Sequence, residues 1–158
     1  MQSLVTMRLR LDDHMARANP QLLQMSTQGH DALPDRYRQE LADGFSCVLV
    51  AERRSTEVLV GMAFGRVAVR EDLIPSHIGR IDDVWVKPSF RRQGICRGLL
   101  KQLLVFFEQK GVQILDLYYT VGNAEAEYAW HDMGFRPVLT VASAKVGDII
   151  RQLEHKAV

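Results

Sequence analysis

The order of predicted elements in this chain indicates an α/β or α+β fold, with helices flanking a mixed central β-sheet. Two observations support that class. In the first half, short apolar runs alternate with polar residues at a period of two, which is typical of strands. From about residue 78 onward, strand-like runs alternate with segments whose apolar residues recur every three or four positions, as in helices.

The N-terminal half contains both strand and helix signals. Residues 4–11 alternate between apolar and polar and predict a first strand, and Asp12-Asp13 supplies an N-cap for a helix to about residue 24. A loop is expected over residues 26–33. Pro34, a residue favoured at a first helical position, predicts a second helix that ends near residue 44.

The remaining elements follow from turn residues and apolar periodicity. We expect strands over residues 45–51, 57–69, 78–86, 114–121 and 135–141, and helices ending at 110 and 134, the second of them starting at Asn123. Val146, Ile149, Ile150, Leu153 and Ala157 have helical spacing and predict a C-terminal helix from about residue 148.

Composition narrows the class of protein. The 158 residues predict one globular domain, and a formal net charge of +1 leaves no surplus for coating nucleic acid or an anionic membrane. No apolar run approaches the roughly 20 residues of a spanning helix. Cys47 and Cys96 are isolated and no histidine has metal-ligand spacing, so we expect no metal site and a reduced, cytoplasmic location.

A tight turn between a strand and a helix carries the strongest functional signal. Strand 78–86 leads through an arginine-rich turn into an apolar-periodic helix, and such a corner presents free backbone N–H groups to an anion. Gly94 lets an anion approach the backbone because it has no Cβ, and Arg91, Arg92 and Arg97 add positive charge. The pattern predicts a pyrophosphate site that is neither a P-loop nor a dinucleotide fingerprint.

This turn resembles the acyl-CoA signature of the GNAT superfamily of N-acyltransferases. The sequence Arg91-x-x-Gly94-x-Cys96 is similar to the superfamily pattern Gln/Arg-x-x-Gly-x-Gly/Ala, with Cys96 in place of a smaller residue. The resemblance implies that acetyl-CoA is the cosubstrate. The implied cofactor-binding residues of this turn are Arg91, Arg92, Gln93, Gly94, Ile95, Cys96 and Arg97.

A second block resembles the same superfamily and follows the first at the expected distance. Asn123-x-x-Ala126, then Trp130, then Gly134-Phe135 is similar to Asn-x-x-Ala-x-x-Leu-Tyr-Glu-x-x-Gly-Phe. The two blocks together cover about residues 81–135. The resemblance implies a GNAT-like fold in which Asn123 and Trp130 contact the CoA arm, although Asn123 is equally suited to be a helix N-cap.

The resemblance also implies roles for the strand before the turn. Backbone N–H groups near its end, at Val84, Trp85 and Val86, face the thioester. Asp82 and Asp83 are candidates to accept the amine proton, and a structural ion pair is the alternative for either. Period-two alternation predicts that these two side chains point to opposite faces of the strand.

Trp130 stands where the superfamily often has a tyrosine that protonates the departing thiolate, and an indole N–H is too weak an acid for that step. Water, Tyr118 or Tyr119, or no acid at all are the alternatives, and we select Tyr119 as the candidate. A nucleophilic Cys96 is a further alternative because helix N-termini and arginines lower thiol pKa values.

The expected function is transfer of an acetyl group from acetyl-CoA to a primary amine, either a small molecule or a peptide. The domain spans residues 1–158, with an acetyl-CoA core over about 78–135 and acceptor-shaping helices over about 12–44. A CoA-binding domain with little or no turnover is the main alternative. We expect no nucleic-acid or membrane partner, and we expect a homodimer because the apolar stripe of the C-terminal helix needs a cover.

Overall fold

Helices cover both faces of a mixed β-sheet, which confirms the predicted fold class. The computed structural model describes residues 1–21 and 24–155, and in these residues the sheet has four strands in chain order. The first two pairings are antiparallel and the last is parallel. The elements are α1 (Gln2–Ala18), α2 (Thr27–Ala42), β1 (Ser46–Arg53), β2 (Val58–Val69), β3 (His77–Val86), a 3₁₀ turn (Pro88–Phe90), α3 (Ile95–Gln109), β4 (Ile114–Leu117), α4 (Ala124–Asp132) and α5 (Val146–His155).

The core lies on both faces of the sheet. On one face, α3 packs on the strands, and its residues Leu103 and Phe107 are almost completely buried. On the other face, α1 and α2 bury Leu33 and Tyr37 against Phe64. Removing these apolar side chains from water stabilises the fold by about 25 cal/mol for each Å² that is buried.

Two glycines allow α3 to lie close to the sheet. A Cβ on Gly65 would lie 2.9 Å from side-chain atoms of both Leu103 and Phe107. A Cβ on Gly79 would lie 2.4 Å from Leu115 and 2.9 Å from Phe107. Because both clashes involve well-packed core side chains, any larger residue at either position would push the helix away from the sheet.

The predicted strand over residues 4–11 is wrong, because these residues form the first half of α1. Leu4, Met7 and Leu11 are spaced by three and four residues, and they pack against Met62 and Trp85 of the sheet. The same stretch also alternates at a period of two, so periodicity alone did not distinguish the two structures. Burial of the helical stripe against the sheet decides in favour of the helix.

The predicted loop over residues 26–33 is also wrong. The helix α2 starts at Thr27, and the Ser26 hydroxyl caps it by accepting a hydrogen bond from the Gly29 amide at 3.1 Å. Pro34 therefore lies inside the helix, where it removes one backbone hydrogen bond at a cost of about 3 kcal/mol. The complete burial of Leu33 and Tyr37 on either side offsets this cost.

β1, β2 and β3 lie close to their predicted positions, and so does the C-terminal helix. Two other predictions in the second half of the chain need correction. β4 ends at Leu117 rather than at residue 121, because it separates there from β3. Residues 135–141 form no strand, since Val138 and Leu139 are exposed and only Phe135 packs, against Trp130.

The C-terminal helix α5 is confirmed over Val146–His155 and has no buried residue. Ile149 and Ile150 are about half exposed, so its apolar stripe contacts solvent in the single chain. The part of the predicted first helix at residues 22–23, and Ala157 of the predicted last helix, lie outside the described residues.

Candidate functional site

The site is a cleft that opens where two parallel strands diverge. β3 and β4 pair from Ile78 and Ile114 up to Ile81 and Leu117, and then the pairing stops. β3 continues to Val86 with β2 still paired on its other side. Beyond Ile81, the edge of β3 that faces away from β2 therefore has no strand partner among the described residues, and a cleft of about 440 Å³ lies along it.

A β-bulge at Asp82 sets which side chains reach this cleft. Gly65 pairs with Ile81 and Phe64 pairs with Asp83, so Asp82 has no opposing residue on β2. Ile81 packs on the α3 side, whereas Asp83 contacts α1 and α2 although it is only two positions further on. Asp82 bonds to Arg66, which points away from α3 because its neighbours Gly65 and Val67 face that helix. Asp82 and Asp83 therefore lie on the same face, and the prediction that they point to opposite faces is wrong, because alternation requires an unbroken ladder.

Asp83 is buried in a polar cluster between the sheet and the N-terminal helices. Its carboxylate lies 2.9 Å from Nε of Arg8 and accepts a hydrogen bond from the Tyr37 hydroxyl at 3.0 Å. Burial raises the pKa of the Asp83 carboxyl above its usual range, and Arg8 and Tyr37 only partly offset this effect. Asp12 is the second ionic partner of Arg8. Asp83 does not line the cleft.

Asp82 lines the cleft and is held by a single arginine. The Arg66 side chain donates from Nε to one carboxylate oxygen at 2.7 Å and lies 3.5 Å from the other through Nη2. The Asp82 side chain is 23% exposed and that of Arg66 is 43% exposed, so water reaches the pair. Asp82 is therefore a carboxylate that is both oriented and accessible from the cleft.

The turn that follows β3 presents the start of a helix to the cleft. Arg92 and Gly94 both have left-handed backbone conformations, with φ of 62° and 80°. Gly94 is the N-cap of α3, and no side chain caps the helix. A Cβ on Gly94 would meet nothing within 4 Å. The first-turn amides of α3, which have no intrahelical partner, thus border open space beside Gly94.

The arginines of the turn are largely engaged with the opposite wall of the cleft. Arg91 donates to Glu125 at 2.7 Å and to the Val86 carbonyl at 3.1 Å, and its guanidinium lies over the Trp85 ring. Arg97 pairs with Asp132 on α4. Arg92, Ile95, Cys96 and Arg97 line the cleft, whereas the Gln93 side chain donates to the Ser89 carbonyl and does not line it.

The environment of Cys96 opposes its activation as a nucleophile. Burial raises the pKa of the Cys96 thiol, and the neighbouring Arg97 lowers it by less. A reactive cysteine requires the reverse balance, because the thiolate is the nucleophile.

The far wall of the cleft is formed by the segment after β4 and by α4. The Asn123 side chain accepts a hydrogen bond from the Ala126 amide at 3.2 Å, which confirms the predicted N-cap. Trp130 is buried, packs edge to face against Phe135 and lines the cleft. Tyr118 and Tyr119 also line it, beyond the end of β4.

The sequence interpretation missed the contribution of α1 to this site. Leu11, His14 and Met15 line the cleft, and the His14 ring stands edge-on to Trp85 at 5.6 Å. The missed signal is the spacing of Leu4, Leu11 and Met15, which share one face of a helix. The strand that alternation predicts over residues 4–11 would not form such a face.

The described part of the chain has neither a cluster of metal-binding side chains nor a membrane-spanning helix. Within residues 1–21 and 24–155, no group of three or more histidine, cysteine, aspartate or glutamate side chains is arranged to hold a metal ion. In the same ranges, no helix combines the length and apolar character needed to cross a bilayer.

The fold is shared with several solved structures. The tetramutant of the BH1408 protein from Bacillus halodurans has a TM-score of 0.76 at 17% identity, over 92% of this chain and 93% of that one. A predicted acetyltransferase from Clostridium acetobutylicum, solved with acetyl-CoA, has a TM-score of 0.70 at 15% identity, over 92% and 89%. The aminoglycoside antibiotic 6'-N-acetyltransferase from Acinetobacter haemolyticus has a TM-score of 0.65 at 17% identity, over 83% and 88%.

A family model supplies the assignment that these distant structures do not give. The model of the Acetyltransferase (GNAT) family matches residues 12–135, which include the diverging strands, the turn and α4. This range is well over half of the chain and contains both sequence motifs. The chain therefore belongs to the GNAT acetyltransferase family.

Proposed function

We propose that this protein transfers the acetyl group of acetyl-CoA to a primary amine by direct attack, without a covalent enzyme intermediate. The observation that carries the proposal is the cleft along the free edge of β3. The start of α3, which no side chain caps, and the oriented carboxylate of Asp82 both line this cleft.

The turn is the proposed pyrophosphate site. The first-turn amides of α3 supply hydrogen-bond donors, and the helix dipole favours an anion there by about 0.3–1 kcal/mol. Arg92 has no ionic partner among the described residues and adds charge at the same turn. Asn123 and Trp130 on the opposite wall are proposed to contact the CoA arm.

The free edge of β3 is the proposed site of the thioester. Pairing with β2 and packing in the core hold this strand in place. The Lys87 amide donates to the Val60 carbonyl on β2, so by alternation the Trp85 amide also points to β2, whereas the amides of Val84 and Val86 point to the free edge. Donors that are fixed in advance stabilise the developing negative charge on the thioester oxygen more effectively than donors that must reorient.

Asp82 is the residue proposed to receive the amine proton. As the nitrogen bonds to the acetyl carbon and the carbon–sulfur bond breaks, the nitrogen becomes acidic and its proton passes to the carboxylate. Arg66 holds Asp82 in position for this step. Asp83 is buried and doubly engaged, so we assign it a structural role.

Departure of the thiolate needs little assistance. A thiol has an ordinary pKa of about 8.5, so its thiolate is a good leaving group near neutral pH. Tyr119 lines the cleft and is the protein hydroxyl proposed to return a proton to the sulfur.

The direct test is to incubate the protein with acetyl-CoA and a panel of primary amines, and to follow free thiol and product mass. We expect an N-acetylated amine and an unmodified protein. Acetyl-cysteine at Cys96, with activity lost in Cys96→Ala, would replace direct attack by a covalent mechanism. Tight CoA binding without transfer to any amine would show a binding domain instead.

A further inference from the structure

A second hollow of about 500 Å³ adjoins the cleft and shares His14, Trp85 and Arg91 with it. We call it the α1 groove. One wall is the outer face of α1 and the other is the segment that follows β3, including Lys87 and Pro88. The proposed function uses no residue of this groove outside the three shared ones.

The walls of the α1 groove are cationic. Arg10 and Arg17 from α1 face Lys87 and Arg91 from the segment after β3, and Asp13 is the acidic residue among the lining side chains. No ion pair forms at Arg10, Arg17 or Lys87 within residues 1–21 and 24–155, whereas Arg8 of the same helix is paired with Asp83 and Asp12. The groove therefore has a net positive charge, with Asp13 as the acidic side chain in its lining and Arg91 already paired with Glu125.

The arrangement of α1 explains why these cations share one wall. Arg10 and Arg17 are seven residues apart, which is two helical turns and about 10 Å along the helix axis. The adjacent side of α1 is fixed to the sheet by Leu4, Met7 and Leu11, and Met7 also lines the groove. The helix thus holds both arginines at the groove at a fixed spacing.

The groove also lies at a defined distance from the proposed reaction centre. Lys87 follows Trp85 by two residues and Val84 by three, which corresponds to roughly 7–10 Å of extended chain. An amine placed against Val84 and Trp85 can therefore place a second group, some 7–10 Å away, among the cations. Trp85 lines both the cleft and the α1 groove and so connects them.

We propose that the α1 groove is an acceptor subsite that binds a carboxylate or phosphate group carried by the amine substrate. The inference rests on the proposed N-acetyltransferase function and adds the chemical class of the acceptor. An anion bound by arginine and lysine side chains makes charge-assisted hydrogen bonds, which are stronger than neutral ones.

The experiment is a length scan with matched amines. The values of kcat/KM are measured for ω-amino carboxylates from glycine to 6-aminohexanoate, for aminoalkyl phosphates of similar length, and for uncharged alkylamines. We expect an optimum at an intermediate or long chain, with the anionic amine preferred at least about tenfold over its uncharged match. In the Arg10→Gln, Lys87→Gln double variant that preference falls to within about twofold, and the KM for acetyl-CoA is unchanged. Lys101→Gln, at an exposed lysine of α3 on the other face of the sheet, is the control and keeps the preference.

Two outcomes overturn the proposal. Equal use of charged and uncharged amines at every length shows that the groove does not select acceptors. A raised KM for acetyl-CoA in the double variant, with the acceptor preference intact, assigns the cations to the cofactor. The carboxylate and phosphate series separate the two sources of anion.

A binding measurement distinguishes failure of the subsite from failure of the proposed function. The chain has two tryptophans, so Trp130→Phe leaves Trp85, which lines the groove, as the fluorescent reporter. We expect 6-acetamidohexanoate to change its emission and uncharged N-hexylacetamide to have no effect at equal concentration. This readout needs no turnover. No response to 6-acetamidohexanoate overturns the subsite, whether or not any amine is acetylated.

Discussion

Asp82 and Asp83 are adjacent in the sequence, yet the fold places them in different environments. Asp83 is 6% exposed and engaged by Arg8 and Tyr37 from two helices. Asp82 has one partner, Arg66, and borders the cleft. The bulge at Asp82 directs both side chains away from α3, and burial then separates them. Two adjacent carboxylates of the same type thus have different surroundings, one in a buried cluster and the other open to the cleft.

The largest effect is expected from removing the Asp83 side chain. Asp83→Ala leaves the buried Tyr37 hydroxyl and the Arg8 guanidinium without their shared partner and should lower the free energy of unfolding by about 3–5 kcal/mol. Asp82→Ala breaks a partly exposed pair and should cost less than about 1 kcal/mol. Urea denaturation of both variants measures the difference. Equal losses would show that the two carboxylates are energetically equivalent.

Activity should reverse this order. Asp82→Asn is expected to lower kcat by about 100-fold or more, because general base catalysis typically contributes that much, with little change in the KM for acetyl-CoA. Asp116→Asn is the matched control, since Asp116 forms a similar partly exposed pair with Arg80 and does not line the cleft. Steady-state kinetics with a reactive amine provides the test, and an unchanged kcat in Asp82→Asn would exclude it as the base.

Removing a single partner of Asp83 should have a smaller effect. Tyr37→Phe deletes the hydrogen bond to the buried carboxylate and keeps the ring contact with Phe64, so we expect a loss of about 1.5–3 kcal/mol. Tyr128→Phe, at an exposed tyrosine, should change stability by less than about 0.5 kcal/mol. Thermal and urea unfolding measure both. A loss in Tyr128→Phe as large as that in Tyr37→Phe would contradict the account.

The smallest effect concerns pH. The pKa of the Asp83 carboxyl is raised in the folded state, so the folded chain holds a proton that the unfolded chain has already released. Between about pH 4, where an ordinary aspartate titrates, and the raised pKa, stability therefore falls as pH increases. Relative to Asp83→Asn, the wild-type free energy of unfolding should decrease across this window by at most about 1.4 kcal/mol per pH unit. An increase across the window would contradict the assigned burial effect.

The site was easier to predict than the N-terminal half because its signals are local. Gly94 is predicted from the apolar helix that follows it, and the N-cap Asn123 is predicted from its immediate neighbours. The structure has Gly94 at the start of α3 and Asn123 at the start of α4. In contrast, the bulge at Asp82 depends on pairing with β2, and the pairing of Arg8 with Asp83 brings together residues that are far apart in the sequence. Pattern reading contains no information about such contacts.

The errors at α1 and α2 have the same origin. The stretch 4–11 fits two periods, and its burial against Met62 and Trp85 selects the helix. Proline is common at the first position of a helix, which is why the sequence predicts a helix start at Pro34. Burial of Leu33 and Tyr37 instead allows Pro34 to lie inside α2. In both places tertiary packing decided between local alternatives.

The central claim is that the turn at Gly94 binds the CoA pyrophosphate, and calorimetric titration of CoA into Gly94→Asp tests it most directly. Gly111→Asp is the matched control, because Gly111 also has a left-handed φ, of 71°, and open surroundings, at the other end of α3. The account predicts that Gly94→Asp raises the Kd for CoA by about 100-fold or more, equivalent to about 2.7 kcal/mol, while Gly111→Asp leaves it within about twofold of the wild-type value. An unchanged Kd in a folded Gly94→Asp variant would contradict the claim.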